Sequence, residues 1–266
     1  MTMTQPILVG IRIFPVKSLD ALELHEVKIL PSGALAQDRE FALTDTNGKF
    51  INAKRFPLVQ RLRSAWDGEL RVLCLQWEGT AQEKRFRLPQ DQSTLEAWLS
   101  IFFEQPVILA QNLEGGFPDD SKAPGPTVIS KATLQEVASW YPGLTLAETR
   151  RRFRANLEIG GVPAFWEDQL YANAGEAIPF KIGDVTFQGV NPCQRCIVPT
   201  RDSLSADPTT EFSQTFRAMR EATLPPWANR SRFNHYYRLA VNTCVPTTEA
   251  GKILRLGDPL TLLPVR

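Results

Sequence analysis

Residues 191–202 read Asn-Pro-Cys-Gln-Arg-Cys-Ile-Val-Pro-Thr-Arg-Asp, and they hold two of the four cysteines of this 266-residue chain. Cys193 and Cys196 stand three residues apart, with Arg195 between them. The two prolines of the stretch argue against one regular helix through it. Positive charge near a thiol lowers its pKa, and the thiolate is the form that binds metals. The stretch therefore predicts a loop that offers a soft sulfur ligand to a metal.

Three other interpretations of the cysteine pair stay open. A closed zinc site needs four ligands, and the remaining cysteines and both histidines form no second pair at similar spacing, which disfavours structural zinc. A thioredoxin-type site places the pair at the start of a helix after a strand, and Pro199 follows too soon for that arrangement. Both cysteines could also be buried as small hydrophobic side chains.

The composition is that of an ordinary globular protein, with 43% hydrophobic and 22% charged residues. The formal net charge is +1, so no global field attracts the protein to nucleic acid or to a membrane surface. The start of the chain has no basic region, and its first apolar run is broken at Arg12, which argues against a signal peptide. The cysteines do not suggest a secreted disulfide framework. We expect a cytoplasmic protein with no nucleic-acid or membrane partner.

Short apolar or alternating runs, separated by turn residues, make up most of the chain, and such runs are typical of β-strands. The Asn47-Gly48 pair between runs 41–44 and 49–51 predicts a β-hairpin. Ser130 stands just ahead of a helical pattern, so it predicts a helix N-cap. Many strands with few helices predict a mostly β fold of the α+β class.

The best candidate for a domain boundary is the run 115–126, which is rich in glycine, proline and polar residues. Core size allows either one large domain or two smaller ones at this chain length. We predict two: a smaller β-rich N-terminal domain at residues 1–116 and a β-barrel domain at residues 117–266.

The densest positive charge lies at Arg150–Arg154, where only Phe153 interrupts the arginines. In a strand, Arg152 and Arg154 would share one face. Two guanidiniums on one face can hold a phosphate or a planar heterocycle through forked hydrogen bonds. The alternative is a solvated basic edge, which charged strands often show, and the run alone does not decide between them.

A second basic set lies in the first half of the chain. Lys17 and Ser18 follow a strand-like run that stops at Pro15, and Arg39 precedes the expected hairpin. A lysine, a hydroxyl and an arginine can bind an anion together if their strands are neighbours. The alternative is that they are ordinary surface residues.

Six short motifs, taken in order, resemble the MOSC family, the domain type found at the C-terminus of molybdenum-cofactor sulfurases, with its N-terminal β-barrel companion domain. Within that family the chain is similar to the amidoxime-reducing component proteins. The resemblance covers nearly the whole chain. The motifs are Val16-Lys17-Ser18, Gln37-Asp38-Arg39, Arg152-Phe153-Arg154-Ala155-Asn156-Leu157, Ala164-Phe165-Trp166-Glu167-Asp168, Cys193-Gln194-Arg195-Cys196 and Leu256-Gly257-Asp258-Pro259.

The resemblance implies a bound molybdenum cofactor, molybdenum held by molybdopterin, in a cleft between the two domains. It implies that Cys196 is the protein ligand of molybdenum and the catalytic thiolate, and a soft thiolate suits a soft, dithiolene-bound metal. At the level of the whole family it also implies pyridoxal phosphate binding. The residues that it implies for cofactor contacts are Lys17, Ser18, Arg39, Arg152, Arg154, Asn156 and Gln194.

The activity implied by the resemblance is reduction of N-hydroxylated compounds such as amidoximes, hydroxylamines and N-hydroxylated bases. Some bacterial members carry a ferredoxin-like domain after the MOSC domain, and no cysteine cluster for an iron–sulfur centre follows it here. We therefore expect electrons from a separate ferredoxin- or cytochrome-type protein. Asp168 is a candidate for proton handling, with a salt bridge inside the domain as the alternative. Two other functions stay open: a cofactor carrier without turnover, and a sulfur carrier with a persulfide on Cys196.

Overall fold

The computed structural model describes residues 5–264, and strands dominate this range. The strands, in chain order, are β1 (Ile7–Ile13), β2 (Leu22–Leu24), β3 (Glu26–Lys28), β4 (Phe41–Thr44), β5 (Leu62–Trp66), β6 (Val72–Trp77), β7 (Glu83–Arg87), β8 (Ile108–Gln111), β9 (Val128–Ser130), β10 (Leu157–Gly160), β11 (Ile178–Ile182), β12 (Val185–Gln194), β13 (Arg238–Cys244), β14 (Ile253–Arg255) and β15 (Leu260–Leu262). The α-helices are α1 (Gln92–Phe103), α2 (Lys131–Ser139), α3 (Leu146–Phe153) and α4 (Phe212–Ala222).

The largest sheet has eight strands in the order β15-β11-β12-β13-β9-β10-β1-β2. Its neighbours pair antiparallel except β9 and β10, which are parallel. A bridge between Ile7 and Pro259 joins β1 to the segment just before β15, and the Leu260 amide donates to the Pro6 carbonyl at 2.8 Å. The sheet thus closes into a barrel at Ile7, while β2 pairs with the other end of β1. The predicted mostly β fold with a barrel is confirmed.

The core of this barrel includes the start of the chain. Leu8, Ile11 and Ile13 of β1 are at most 1% exposed and pack with Phe180 and Phe187 of the second half. Burial of such large apolar side chains is the main driving force for the long-range pairing of β1 with β10. The predicted domain boundary between residues 116 and 117 stays a prediction. β1 lies on the N-terminal side of that boundary and pairs with β10 on the other side to complete the barrel.

Strands β4 to β8 contribute to a separate hydrophobic core, whereas β3 pairs with β14 and adds Val27 to the barrel core. β5, β6 and β7 make an antiparallel meander, and α1 contributes Leu95 and Leu99 to the same core. The Asn47-Gly48 turn forms, with Gly48 at φ +72°. The predicted second arm also pairs with β4: an antiparallel bridge joins Thr44 to Phe50, and the Ile51 amide donates to the Leu43 carbonyl at 2.8 Å. The other edge of β4 pairs along its length with β8.

The first turn of α2 bears out the predicted helix cap. The Ser130 hydroxyl accepts a hydrogen bond from the Thr133 amide at 3.0 Å. Such a bond satisfies one of the amides that a helix start leaves without an intrahelical partner. The Thr133 hydroxyl in turn accepts from the Phe165 amide at 2.6 Å and donates to Glu167 Oε2 at 3.0 Å. The start of α2 is therefore tied to the Ala164–Asp168 motif.

That motif carries two buried carboxyl groups with different partners. Asp168 forms an ion pair with Arg220 of α4, whose side chain is 1% exposed. Arg220 also stacks on Phe165, with its guanidinium carbon 4.2 Å from the ring centroid. Asp168 does not line the main cavity, so it serves as the internal salt bridge that was its alternative role. Glu167 has no cation of its own, and burial followed by the Asp168 charge raises its pKa to about 7.

We expect Glu167→Gln to make stability less dependent on pH. The folded-state pKa of Glu167 lies above that of the unfolded chain, so its folded form gains relative stability at low pH. That gain disappears as pH rises from about 4.5 to about 7. Glutamine keeps the oxygen that accepts from Thr133 but never ionises, so the variant should escape a loss of about 2–3 kcal/mol over this window. Urea unfolding at pH 5 and pH 8 measures the difference.

The exposed carboxyl of Glu69, whose side chain is 73% exposed, provides the matched control. Glu69→Gln should leave the difference in unfolding free energy between the two pH values unchanged. If Glu167→Gln also leaves this pH difference unchanged, folding does not raise the pKa of Glu167.

Candidate functional site

The cysteine motif begins inside a barrel strand. β12 continues through Cys193 to Gln194, and Gln194 lies opposite Arg238 of β13. Cys196 follows just beyond the strand, and one 3₁₀ turn at Val198–Thr200 comes next. The predicted absence of a regular helix through this stretch is confirmed. The fold therefore holds Cys196 in a short connection at the end of a barrel strand.

A cavity of about 1050 Å³ opens beside this connection and takes its walls from both halves of the sequence. Every residue predicted to touch a cofactor or metal lines it, although several are more than a hundred positions apart in the chain. The structure thus brings the whole predicted set together, while the contacts with a cofactor stay predictions. The set is Lys17, Ser18, Arg39, Arg152, Arg154, Asn156, Gln194 and Cys196.

Lys17 and Arg39 converge on the carboxylate of Asp119. Lys17 Nζ lies 2.6 Å from Asp119 Oδ1 and donates to the Phe117 carbonyl at 2.8 Å. Arg39 Nε is 3.6 Å from Asp119 Oδ2, and its guanidinium also pairs with Asp38. Burial lowers the pKa of Lys17, and Asp119 opposes that change. Against the effect of burial, the two cations hold the pKa of Asp119 well below its usual range. These cations form an anion-binding subsite that already holds a carboxylate.

Arg154 presents a second kind of cation. It caps α3 in the left-handed region, with φ +52°. Its guanidinium carbon lies 4.0 Å from the centroid of the Phe14 ring, and its Nη2 is buried with no hydrogen-bond partner in the described residues. Burial and the nearby Arg39 charge lower the pKa of Arg154 to about 10. The group stays protonated at pH 7 and keeps an unused donor at the cavity wall.

The arginine run is helical, because α3 extends to Phe153, so the strand that would place Arg152 and Arg154 on one face does not form. Successive helical side chains turn by about 100°, so Arg152 and Arg154 do not share one face. Arg152 is 5% exposed, donates to Glu148 at 2.7 Å and to the Thr209 hydroxyl at 2.9 Å. Its charge is therefore engaged within the domain, and any contact between Arg152 and a cofactor stays a prediction.

Asn156 is 1% exposed, and its amide holds the backbone around the cavity. Its Nδ2 donates to the Arg12 carbonyl at 3.0 Å, and its Oδ1 accepts from the amide and the hydroxyl of Thr127 at 3.2 Å each. Asn156 thereby ties β1 to the segment that carries Arg154. Ser18 is also held in the left-handed region, at φ +75°. Such a conformation in a non-glycine residue persists only where the surroundings impose it.

The two cysteines of the motif have different surroundings. Cys193 Sγ accepts a hydrogen bond from Arg195 Nη1 at 3.2 Å, and Arg195 Nη2 donates to the Phe153 carbonyl at 2.6 Å. Cys196 is half-buried, lines the cavity, and has no hydrogen-bond partner for its sulfur in the described part of the chain. The Cys196 thiol is therefore the sulfur that is available to a ligand in the cavity.

A molybdenum cofactor can be tested against these residues by their chemistry. A single thiol suits a soft metal that brings further sulfur ligands on a dithiolene. The unpaired donor of Arg154 and the Lys17–Arg39 subsite suit the phosphate and the polar ring of a pterin. The residues present therefore fit that group. Across residues 5–264, no three histidine, cysteine, aspartate or glutamate side chains gather as metal ligands.

Several cavity residues were not singled out from the sequence. Asp119 belongs to the run 115–126, which was taken only as a boundary, although connecting loops often carry binding residues. Arg232 and Arg238 carried no motif. No local pattern marks them, because their position at the cavity follows from the pairing of β13 with β12.

Two family models match the chain. A model described as the MOSC N-terminal beta barrel domain matches residues 5–103, and one described as the MOSC domain matches residues 127–261. Curated proteins gave no match. Within residues 5–264, every helix is too short or too polar to span a lipid bilayer.

Proposed function

This chain belongs to the MOSC family with its N-terminal companion domain, and from that premise we propose that it is an oxidoreductase that reduces N-hydroxylated compounds. The MOSC domain is in general a molybdenum-cofactor-binding domain. The proposed substrates are amidoximes, hydroxylamines and N-hydroxylated bases. The bound cofactor would supply the two-electron reduction that breaks the N–O bond and releases water.

One observation carries this proposal: the Cys196 thiol opens onto a cavity whose walls hold protonated side chains from both halves of the chain. Cys196 would hold the metal as a thiolate. Arg154 would donate to the pterin from its unpaired nitrogen. Lys17 and Arg39 would bind the phosphate of the cofactor, in exchange for the Asp119 carboxylate that they hold in this structure. These residues bind and orient, while the electron chemistry belongs to the cofactor.

The electrons would come from a separate ferredoxin- or cytochrome-type protein. Two further candidates remain. In one, the protein carries the cofactor without turnover, and in the other Cys196 carries a persulfide to an acceptor. The proposed cytoplasmic location and the family-level pyridoxal phosphate binding stay predictions.

We expect freshly purified protein to contain molybdenum and pterin in equal amounts and to convert benzamidoxime to benzamidine with an artificial electron donor. The rate should rise in proportion to the molybdenum content, because the cofactor carries the redox chemistry. Product chromatography and elemental analysis measure both quantities. Loaded protein without turnover would instead identify a carrier. Cyanolysable sulfur without molybdenum would identify a sulfur carrier.

A further inference from the structure

The cavity has another basic wall, which the expected cofactor contacts do not use. It is formed by Arg232, Asn234 and Arg238. Arg238 lies on β13 directly opposite Gln194, so this wall adjoins the cysteine motif. Arg232 is fixed by its Nη1, which donates to the Ala172 carbonyl at 2.8 Å. The wall is thus a built part of the cavity beside the proposed metal ligand.

The charges of this wall have no counter-ion. No carboxylate within residues 5–264 forms an ion pair with Arg232 or Arg238, whereas Lys17 and Arg39 share Asp119. Arg238 Nε is buried and has no hydrogen-bond partner there. Burial and the charge of Arg232 lower the pKa of Arg238, so the two like charges are close enough to interact. An anion bound between them would relieve this repulsion.

Arg238 is also held in place before any ligand arrives. Its Nη1 donates to the Pro192 carbonyl at 3.1 Å, and its Nη2 donates to Asn234 Oδ1 at 2.8 Å. A guanidinium fixed in this way loses little conformational freedom when a ligand binds. Its planar shape matches a carboxylate.

The cavity is large. Its volume of about 1050 Å³ slightly exceeds the roughly 300–1,000 Å³ typical of a pocket for one drug-sized ligand. The second basic wall lines the same cavity as Cys196, Lys17, Arg39 and Arg154, so a cofactor on that side and a small ligand on this wall would share one space.

We propose that Arg232 and Arg238 bind a carboxylate on the substrate, so that this protein prefers N-hydroxylated compounds that carry an acidic group. This inference rests on the proposed function for its reaction, but not for its binding site. The carboxylate on the second basic wall would orient the N–O group towards Cys196. The wall thus selects the substrate, while the Lys17–Arg39 side holds the cofactor.

The test compares benzamidoxime with 4-carboxybenzamidoxime in the cofactor-loaded enzyme. We expect the carboxylated probe to have the higher kcat/KM in the wild-type protein. Arg238→Gln and Arg232→Gln should each lower kcat/KM for that probe by about tenfold to a hundredfold, the range typical of a lost charge-assisted hydrogen bond. The value for benzamidoxime, normalised to bound molybdenum, should change little.

A binding measurement keeps this inference separate from the reaction. Calorimetric titration of 4-carboxybenzamidoxime into the wild-type and variant proteins should show the same loss of affinity, whether or not turnover occurs. Arg238→Lys, which keeps the charge, should recover part of it. Arg217→Gln is the matched control, because Arg217 is exposed and does not line the cavity. Thermal melting verifies that each variant is folded.

Equal losses for both probes, accompanied by lower molybdenum content, would assign the two arginines to the cofactor and overturn the proposal. Unchanged affinity for the carboxylated probe would overturn it as well. Absence of turnover with either probe in the wild-type enzyme, together with arginine-dependent binding of the carboxylated one, would refute the proposed reaction and keep the anion site.

Discussion

Replacing Cys196 with alanine will abolish the reduction of N-hydroxylated compounds and remove bound molybdenum. Cys196 is the cavity-lining thiol whose sulfur has no hydrogen-bond partner in residues 5–264, so no other group competes for it. Loss of even an indirect supporting residue at a metal site lowers metal affinity by about 10–100-fold, and loss of the ligand itself should exceed that. Cys196→Ser should fail as well, because a hydroxyl is a hard ligand that suits this soft metal poorly. Metal content and the amidoxime assay measure both effects.

Cys244→Ala provides the matched control. Cys244 is also half-buried, but it lies outside the cavity, where its thiol contacts the Lys122 carbonyl at 3.4 Å. Its loss should leave molybdenum content and turnover unchanged. Cys193→Ala tests the other thiol of the motif, which differs from Cys196 because it accepts a hydrogen bond from Arg195. Full turnover in Cys196→Ala would refute the assignment of the metal ligand and, with it, the mechanism.

Replacing Arg220 with methionine will destabilise the protein by about 3–5 kcal/mol, the range found when one partner of a buried ion pair is removed. The Arg220 side chain is 1% exposed and the Asp168 side chain 4% exposed. The variant would leave the Asp168 carboxylate buried beside Glu167 without its counter-ion. Arg220 also packs between the rings of Phe165 and Phe233, and that contact would be lost. Urea unfolding monitored by tryptophan fluorescence measures the change.

Two further variants separate the charge from the packing. The double variant Arg220→Met with Asp168→Asn removes the uncompensated charge, so it should be more stable than Arg220→Met alone. Arg217→Met changes an exposed arginine of the same helix and should alter the unfolding free energy by no more than about 0.5 kcal/mol. A loss below about 1 kcal/mol in Arg220→Met would show that Asp168 is neutral or solvated in the folded protein.

The arginine run illustrates where local patterns fail. Its composition indicated a basic segment, and the shared face considered for Arg152 and Arg154 required a strand. Thr145 instead caps a helix through the run and accepts from the Glu148 amide at 3.1 Å. Helical geometry sends Arg152 inward to Glu148, while the left-handed cap turns Arg154 towards Phe14. Two neighbouring arginines of one motif therefore have different environments.

The strands show the same limit of local sequence patterns. Turn residues and alternation were enough to predict many short strands, and Ser130 was enough to predict the start of α2. The long-range partner of each strand could not be predicted in this way: besides the short Asn-Gly hairpin, β4 pairs along its length with β8, more than sixty residues further along the chain. Local propensity specifies the turn, whereas burial of the shared apolar face selects the distant partner.

By itself, the sequence determined the strand-rich class, the family motifs and the thiol at position 196, because each depends on residue type and short spacing. The tertiary structure alone decided which charges meet. Asp119 reaches Lys17 from a connection 102 positions further along the chain. Arg238 reaches the cysteine loop only through the pairing of β13 with β12. Ion pairs and cavities depend on distances of a few ångströms between segments remote in sequence, and those distances follow from how the barrel closes around its core.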